Sequence, residues 1–243
     1  MFAFVKSEHS ALTARRAAPY KPGMIVATNG TVRGCRPLTD AEVARVLATF
    51  SGPYAGRDRA LFTLGVLTGF RISELLSLTV GDVRDLDGGV ARRVTVARRN
   101  MKGRRESRTM PLHARARQAL AGWLGELARL GGSDPATPLF AGRKGHHQLR
   151  PITRVHAGRV LNAAFAAAGL PHRGSHTLRK TFARNVHRAD NRDLLTTQRL
   201  LGHKSVNSTV QYLESMPSEE LEDLVTGLPI GAPGPLFDPE AGP

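Results

Sequence analysis

Apolar residues recur at helical spacing in most segments of this sequence, and they alternate as in a β-strand in one short stretch. Thr39 and Glu42 form a capping box that starts a helix, with Val43 and Val46 among its apolar positions. Residues 90–97 alternate as a strand does, and residues 107–110 are the candidate partner strand. The sequence therefore predicts a mainly α fold with a small antiparallel β-sheet.

The remaining helices are predicted from apolar periodicity and from glycine and proline breaks. They cover residues 57–67, 71–76, 114–130, 153–168, 177–187, 193–201 and 208–213. Residues 133–151 are rich in glycine and proline and are expected to form a loop. We expect a flexible basic lead-in over residues 1–36, a folded domain over residues 37–228 that ends in a docking helix, and a disordered tail over residues 229–243.

The charge balance predicts a polyanionic partner. The chain has 35 Lys and Arg against 20 Asp and Glu, a formal charge of +15, and arginine far outnumbers lysine. Because the planar guanidinium grips phosphate at two points, nucleic acid is the simplest partner. No apolar run long enough to cross a membrane and no secretory signal are seen, so a cytoplasmic protein is expected. The single cysteine, Cys35, excludes a disulfide framework, and no metal site is expected.

Four segments carry basic, imidazole or phenol groups suited to phosphate chemistry. They are residues 68–83 with Arg71 and Glu74, residues 100–103 with Lys102, residues 175–183 with His176 and Arg179, and residues 200–213 with His203 and Tyr212. Taken singly, each signal is weak: Arg71 alone is better explained as a surface residue paired with Glu74, and Tyr212 alone as a packing residue.

Taken together and in this order, the four segments resemble the catalytic domain of the tyrosine recombinases, the phage-integrase family. The resemblance covers about residues 38–228. It implies a DNA breaking-rejoining enzyme that cuts and rejoins double-stranded DNA at specific sites, needs no cofactor, and forms a covalent 3′-phosphotyrosyl intermediate at Tyr212. It implies six catalytic residues, namely Arg71, Lys102, His176, Arg179, His203 and Tyr212, with Glu74 supporting the site.

The implied roles fit the chemistry of a phosphodiester. The two arginines neutralise the developing charge on the phosphate, and His203 donates a hydrogen bond to it. An ordinary tyrosine has a pKa of about 10, so Tyr212 needs a proton acceptor, for which His176 is the candidate. Lys102 is the candidate acid for the leaving oxygen.

Basic residues around these motifs are candidates for contacts with the DNA backbone. They are Arg98, Arg99, Arg104, Arg105, Arg108, Arg173, Lys180 and Lys204.

Family members usually carry a separate N-terminal DNA-binding domain, whereas about 36 residues precede the catalytic domain here. We therefore expect a minimal recombinase or a truncated integrase, whose DNA affinity depends on the basic lead-in, on an accessory DNA-binding protein or on cooperative assembly. We expect a monomer in solution and a tetramer on paired DNA sites. Two alternatives stay open at this point: a type IB topoisomerase-like enzyme that relaxes DNA without exchanging strands, and a DNA-binding regulator that has lost catalysis.

Overall fold

The computed structural model describes residues 35–101, 107–142, 149–171, 173–189, 193–202, 207 and 209. The elements in chain order are α1 (Asp40–Thr49), α2 (Ala55–Thr68), α3 (Ile72–Leu75), β1 (Arg93–Val96), β2 (Arg108–Pro111), α4 (Ala114–Arg129), α5 (Arg154–Ala167), α6 (Ser175–Ala189) and α7 (Leu194–Leu201). The predicted mainly α fold with a small antiparallel sheet is confirmed. The lead-in before residue 35 and the tail after residue 209 lie outside the described residues, and so does the predicted docking helix.

Helix α1 begins as its sequence predicts. The Thr39 hydroxyl accepts a hydrogen bond from the Glu42 amide, and the Glu42 carboxylate accepts one from the Thr39 amide, which completes the capping box. The Arg36 guanidinium also donates to Glu42. The bounds of α2 to α7 agree with prediction within two residues at each end.

Helix α2 is buried on both faces and organises the core. Leu61 and Leu64 pack in one apolar cluster with α4 and the sheet, while Phe62 and Val66 pack in a second cluster with α1, α5 and α6. Gly65 allows α6 to approach, because a Cβ atom there would lie 2.6 Å from Leu178. Burial on all sides explains why α2 is apolar at nearly every position from residue 60 to residue 67 rather than along one stripe.

The two strands pair in antiparallel register, with Arg93 opposite Pro111 and Val96 opposite Arg108. Residues 133–151 were expected to form a loop, and the described ones, 133–142 and 149–151, contain no helix or strand. This loop also contributes to the core. Leu139 and Phe140 are buried, and the Trp123 indole donates to the Leu139 carbonyl at 2.6 Å. An isolated bridge between Thr79 and Pro138 ties this segment to the residues after α3, and a second bridge, between Ala141 and Pro151, joins two parts of the segment itself.

Among the described residues, no helix combines the length and the apolar character that a membrane crossing requires. The same part of the chain contains no group of three His, Cys, Asp or Glu side chains arranged to hold a metal ion.

Candidate active site

The first candidate arginine sits where α2 ends and α3 begins. Gly69 closes α2 in the left-handed conformation at φ 60°, where a Cβ atom would lie 2.4 Å from Phe182. Arg71 then caps α3, and its side chain stays 38% exposed. Glu74, one turn later, is fully buried and accepts hydrogen bonds from the Arg71 amide at 2.8 Å and from Arg71 Nη1 at 2.9 Å. The carboxylate thus fixes both the backbone and the guanidinium of Arg71.

The second candidate arginine joins two helix ends that are distant in sequence. Arg179 lies on α6 and is 1% exposed. Its Nη1 donates to the Gly69 carbonyl at 2.5 Å, and its Nη2 donates to the Leu201 carbonyl at 2.6 Å. These carbonyls terminate α2 and α7, where helices leave unpaired acceptors and a partial negative charge. One guanidinium therefore holds the segment before Arg71 beside the segment before residue 203.

His176 lies in the first turn of α6, one turn before Arg179, and its side chain is exposed. The pKa of His176 is lowered from its ordinary value, first by partial desolvation of the ring and then by the positive charges of Arg179, Arg71 and Lys180. The imidazole is therefore neutral at neutral pH and able to accept a proton. The positive charges of Arg71 and Arg179 both act on the His176 ring, so all three side chains belong to one site.

Arg108, which was expected to contact DNA, lies in the interior of the domain. Its side chain is 7% exposed and lies over the ring of Phe70 at 4.8 Å. Its Nη2 donates to the Thr68 carbonyl at 2.9 Å and to the Leu200 carbonyl. Strand alternation could have predicted the burial of Arg108, because Met110 and Leu112 at alternate positions are buried on the same face.

The other basic residues predicted to contact DNA differ in their exposure to solvent. Arg98 and Arg99 form an exposed 3₁₀ turn directly after β1. Arg173 is partly buried, and its pKa is lowered chiefly by desolvation and also by Arg36. Burial likewise lowers the pKa of Lys180. Three further candidates, Arg104, Arg105 and Lys204, lie outside the described residues.

Three of the six predicted catalytic residues, Arg71, His176 and Arg179, are described, and the structure brings them together from two sequence motifs about 100 residues apart. Lys102, His203 and Tyr212 lie outside the described residues. Sequence reasoning missed the carbonyl contacts of Arg179 and Arg108 altogether, because they join residues remote in the chain.

Comparison with known proteins decides the family. The model of the phage integrase family matches residues 36–219. The chain belongs to the phage integrase family. The expected resemblance to tyrosine recombinases is thereby confirmed.

Similar proteins are tyrosine recombinases. The chain is 33% identical over 184 residues to the tyrosine recombinase XerC of Herpetosiphon aurantiacus, covering 73% of this chain and 55% of that protein. It is 32% identical to the tyrosine recombinase XerD of Corynebacterium glutamicum, covering 87% of this chain and 64% of that protein. The chain thus covers less than two thirds of the length of either relative.

Solved structures agree on the fold. The XerH site-specific recombinase in its post-cleavage complex with a palindromic difH substrate aligns with a TM-score of 0.59 at 25% identity, covering 79% of this chain and 52% of that one. The XerA recombinase aligns with a TM-score of 0.61 at 24% identity, covering 78% of this chain and 64% of that one.

Proposed function

We propose that this chain is the catalytic part of a site-specific DNA recombinase that cuts and rejoins double-stranded DNA through a 3′-phosphotyrosyl intermediate at Tyr212. The observation that carries the proposal is the tie made by Arg179, whose guanidinium bonds the carbonyls of Gly69 and Leu201. This tie draws Arg71 and the segment leading to His203 towards α6. The relatives named as tyrosine recombinases, and the XerH complex with its DNA substrate, support the same activity.

The two arginines differ in what they offer a phosphate. Arg71 is partly exposed, so it makes the first contact with a non-bridging oxygen. Arg179 is already anchored before DNA arrives, and its positive charge stabilises the transition state without further reorganisation. Glu74 keeps Arg71 oriented, since it bonds both the amide and the side chain.

The proposed reaction conserves the energy of the phosphodiester. The Tyr212 oxygen attacks phosphorus, the bond to the 5′ oxygen breaks, and the phenolic proton passes to neutral His176. Lys102 protonates the leaving 5′ oxygen, and His203 donates a hydrogen bond to the phosphate. Attack by a second 5′-hydroxyl then reseals the strand and releases Tyr212, so the cycle requires no cofactor.

Double-stranded DNA is the proposed partner, held in part by the exposed arginines of the turn after β1, Arg98 and Arg99. Arg104 and Arg105, which follow them in the sequence, and Arg173, Lys180 and Lys204 are proposed as further backbone contacts. We also propose that copies of the chain assemble as a tetramer on paired sites, and that an accessory DNA-binding protein assists.

Capture of the covalent adduct tests this function. Wild type, Tyr212→Phe and the matched control Tyr54→Phe are expressed in the native host, the cells are strongly denatured, and DNA still attached to protein is sequenced. We expect adducts at defined sequences from wild type and Tyr54→Phe and none from Tyr212→Phe. A plasmid bearing the captured sites then separates recombination from relaxation: recombinant products support the proposal, and relaxed plasmids alone indicate a topoisomerase-like enzyme. DNA binding without any adduct indicates a regulator.

A further inference from the structure

We infer that Arg108 is a positioning residue, which acts on Arg71 through the buried carboxylate of Glu74. The inference rests on the proposed function, in which Arg71 contacts the phosphate. Its starting point is the burial of Arg108 beside the active site, where the sequence had suggested a surface cation.

The geometry of Arg108 links three parts of the site. Its Nη1 lies 3.9 Å from Glu74 Oε2, and its Nη2 donates to the Thr68 carbonyl at 2.9 Å and to the Leu200 carbonyl. Arg179 bonds the carbonyls of the next residues in the chain, Gly69 and Leu201. Two buried guanidinium groups therefore join the ends of α2 and α7 side by side, and Arg108 is the one near Glu74.

The charge of Arg108 matters because Glu74 is fully buried. A carboxylate removed from water requires compensating positive charge and hydrogen bonds. Arg71 supplies both the charge and the hydrogen bonds in the free protein, yet its guanidinium must also bind the DNA phosphate. Arg108 keeps a positive charge beside Glu74 when the Arg71 guanidinium engages DNA. Without it, Glu74 competes with the phosphate for Arg71.

Arg57 provides a matched control at the opposite end of α2. It is 2% exposed, lies over the ring of Tyr54 at 4.6 Å, and donates to the Ala141 carbonyl at 3.2 Å. Its carboxylate partner is Asp58, not Glu74. Substituting Arg57 therefore removes a buried, ring-stacked, carbonyl-bound guanidinium without touching the carboxylate that holds Arg71.

The first test is a double-mutant cycle on cleavage. Single-turnover adduct formation at saturating DNA is measured for Arg108→Met and Glu74→Gln, singly and together, with DNA affinity measured alongside. We expect Arg108→Met to slow adduct formation about 100-fold, as misplacement of a reacting group does, with a much smaller change in affinity. In the Glu74→Gln background the same substitution should lose most of its effect, since no carboxylate then competes for Arg71.

Two further variants separate positioning from stability. Arg108→Lys keeps a charge beside Glu74 but loses the fork, and we expect it to recover most of the rate. If Arg108→Met fails to fold, Arg108→Gln replaces it, since glutamine also removes the charge but keeps a polar group for the carbonyls. Arg57→Met should lower thermal stability without slowing adduct formation. Equal effects of Arg108→Met in both Glu74 backgrounds would overturn the inference. So would an equally slow Arg57→Met, or a folded Arg108→Lys as slow as the Met variant.

Affinity for linear duplex DNA gives a readout that is independent of cleavage. If wild type forms no adduct, the proposed function is wrong, and the inference is then decided by binding alone. We expect Arg71→Gln to weaken binding less in the Arg108→Met background than in wild type, because Glu74 already withholds Arg71 from DNA there. Equal weakening in both backgrounds contradicts the inference.

Discussion

Replacing Arg179 by methionine should destabilise the domain, because its guanidinium joins the ends of α2 and α7. Methionine keeps an apolar stem in the buried space but loses the hydrogen bonds of 2.5 Å to Gly69 and 2.6 Å to Leu201. A hydrogen bond to a charged group contributes about 1.5–3 kcal/mol, so the two together are worth about 3–6 kcal/mol. This is a large fraction of the roughly 5–15 kcal/mol that stabilises a typical domain.

Urea unfolding followed by circular dichroism measures the effect. With a denaturant slope of about 1–3 kcal/mol/M, the unfolding midpoint should fall by at least about 1 M. Arg179→Lys should recover part of the loss, because one ammonium keeps the charge without the fork that spans both carbonyls. Arg188→Met, at an exposed position of the same helix, should change the free energy of unfolding by about 0.5 kcal/mol or less. An Arg179→Met variant as stable as Arg188→Met would refute the role of Arg179 as a tie.

Three further outcomes are expected. By NMR, the His176 ring should titrate below pH 6.5. Arg71→Gln should raise the pKa of His176, because one neighbouring positive charge is removed. A wild-type midpoint above pH 6.5 contradicts the lowered pKa. Gly69→Ala should lower the free energy of unfolding measured in urea by more than about 1 kcal/mol, since the residue has φ 60° and its Cβ would lie 2.4 Å from the ring of Phe182. Gly122→Ala, in α4 with open space around it, should raise that free energy by about 0.5–1 kcal/mol. The opposite order of the two effects argues against the described packing. Thr39→Ala should cost about 1 kcal/mol of unfolding free energy through loss of the capping box, and an unchanged midpoint would show that the cap contributes nothing.

Local patterns were predictable from the sequence, because their causes lie within a few residues. The capping box of Thr39 and Glu42 and the apolar face of α4 follow directly from spacing. The loop around Leu139 was predicted from the glycine and proline nearby, but the burial of its apolar residues in the core was not. A loop-forming composition does not exclude burial when backbone groups find partners, as the Leu139 carbonyl does in Trp123.

The candidate site was predictable in membership but not in geometry. Motif order indicated Arg71, His176 and Arg179, yet nothing local shows that Arg179 bonds the carbonyls of Gly69 and Leu201. The burial of Arg108 was not predicted, because the density of positive charge around it outweighed the strand alternation that sets it on the buried face. Tertiary contacts between distant segments decide both cases.

Mass spectrometry of the captured adduct tests the central claim most directly. The DNA attached to wild-type protein is digested with nuclease, the protein is cleaved, and the peptide that carries the residual nucleotide is sequenced. The account predicts a nucleotide joined through its 3′ phosphate to Tyr212, with a free 5′-hydroxyl on the other DNA end. A nucleotide attached to another residue, or joined through a 5′ phosphate, would contradict it.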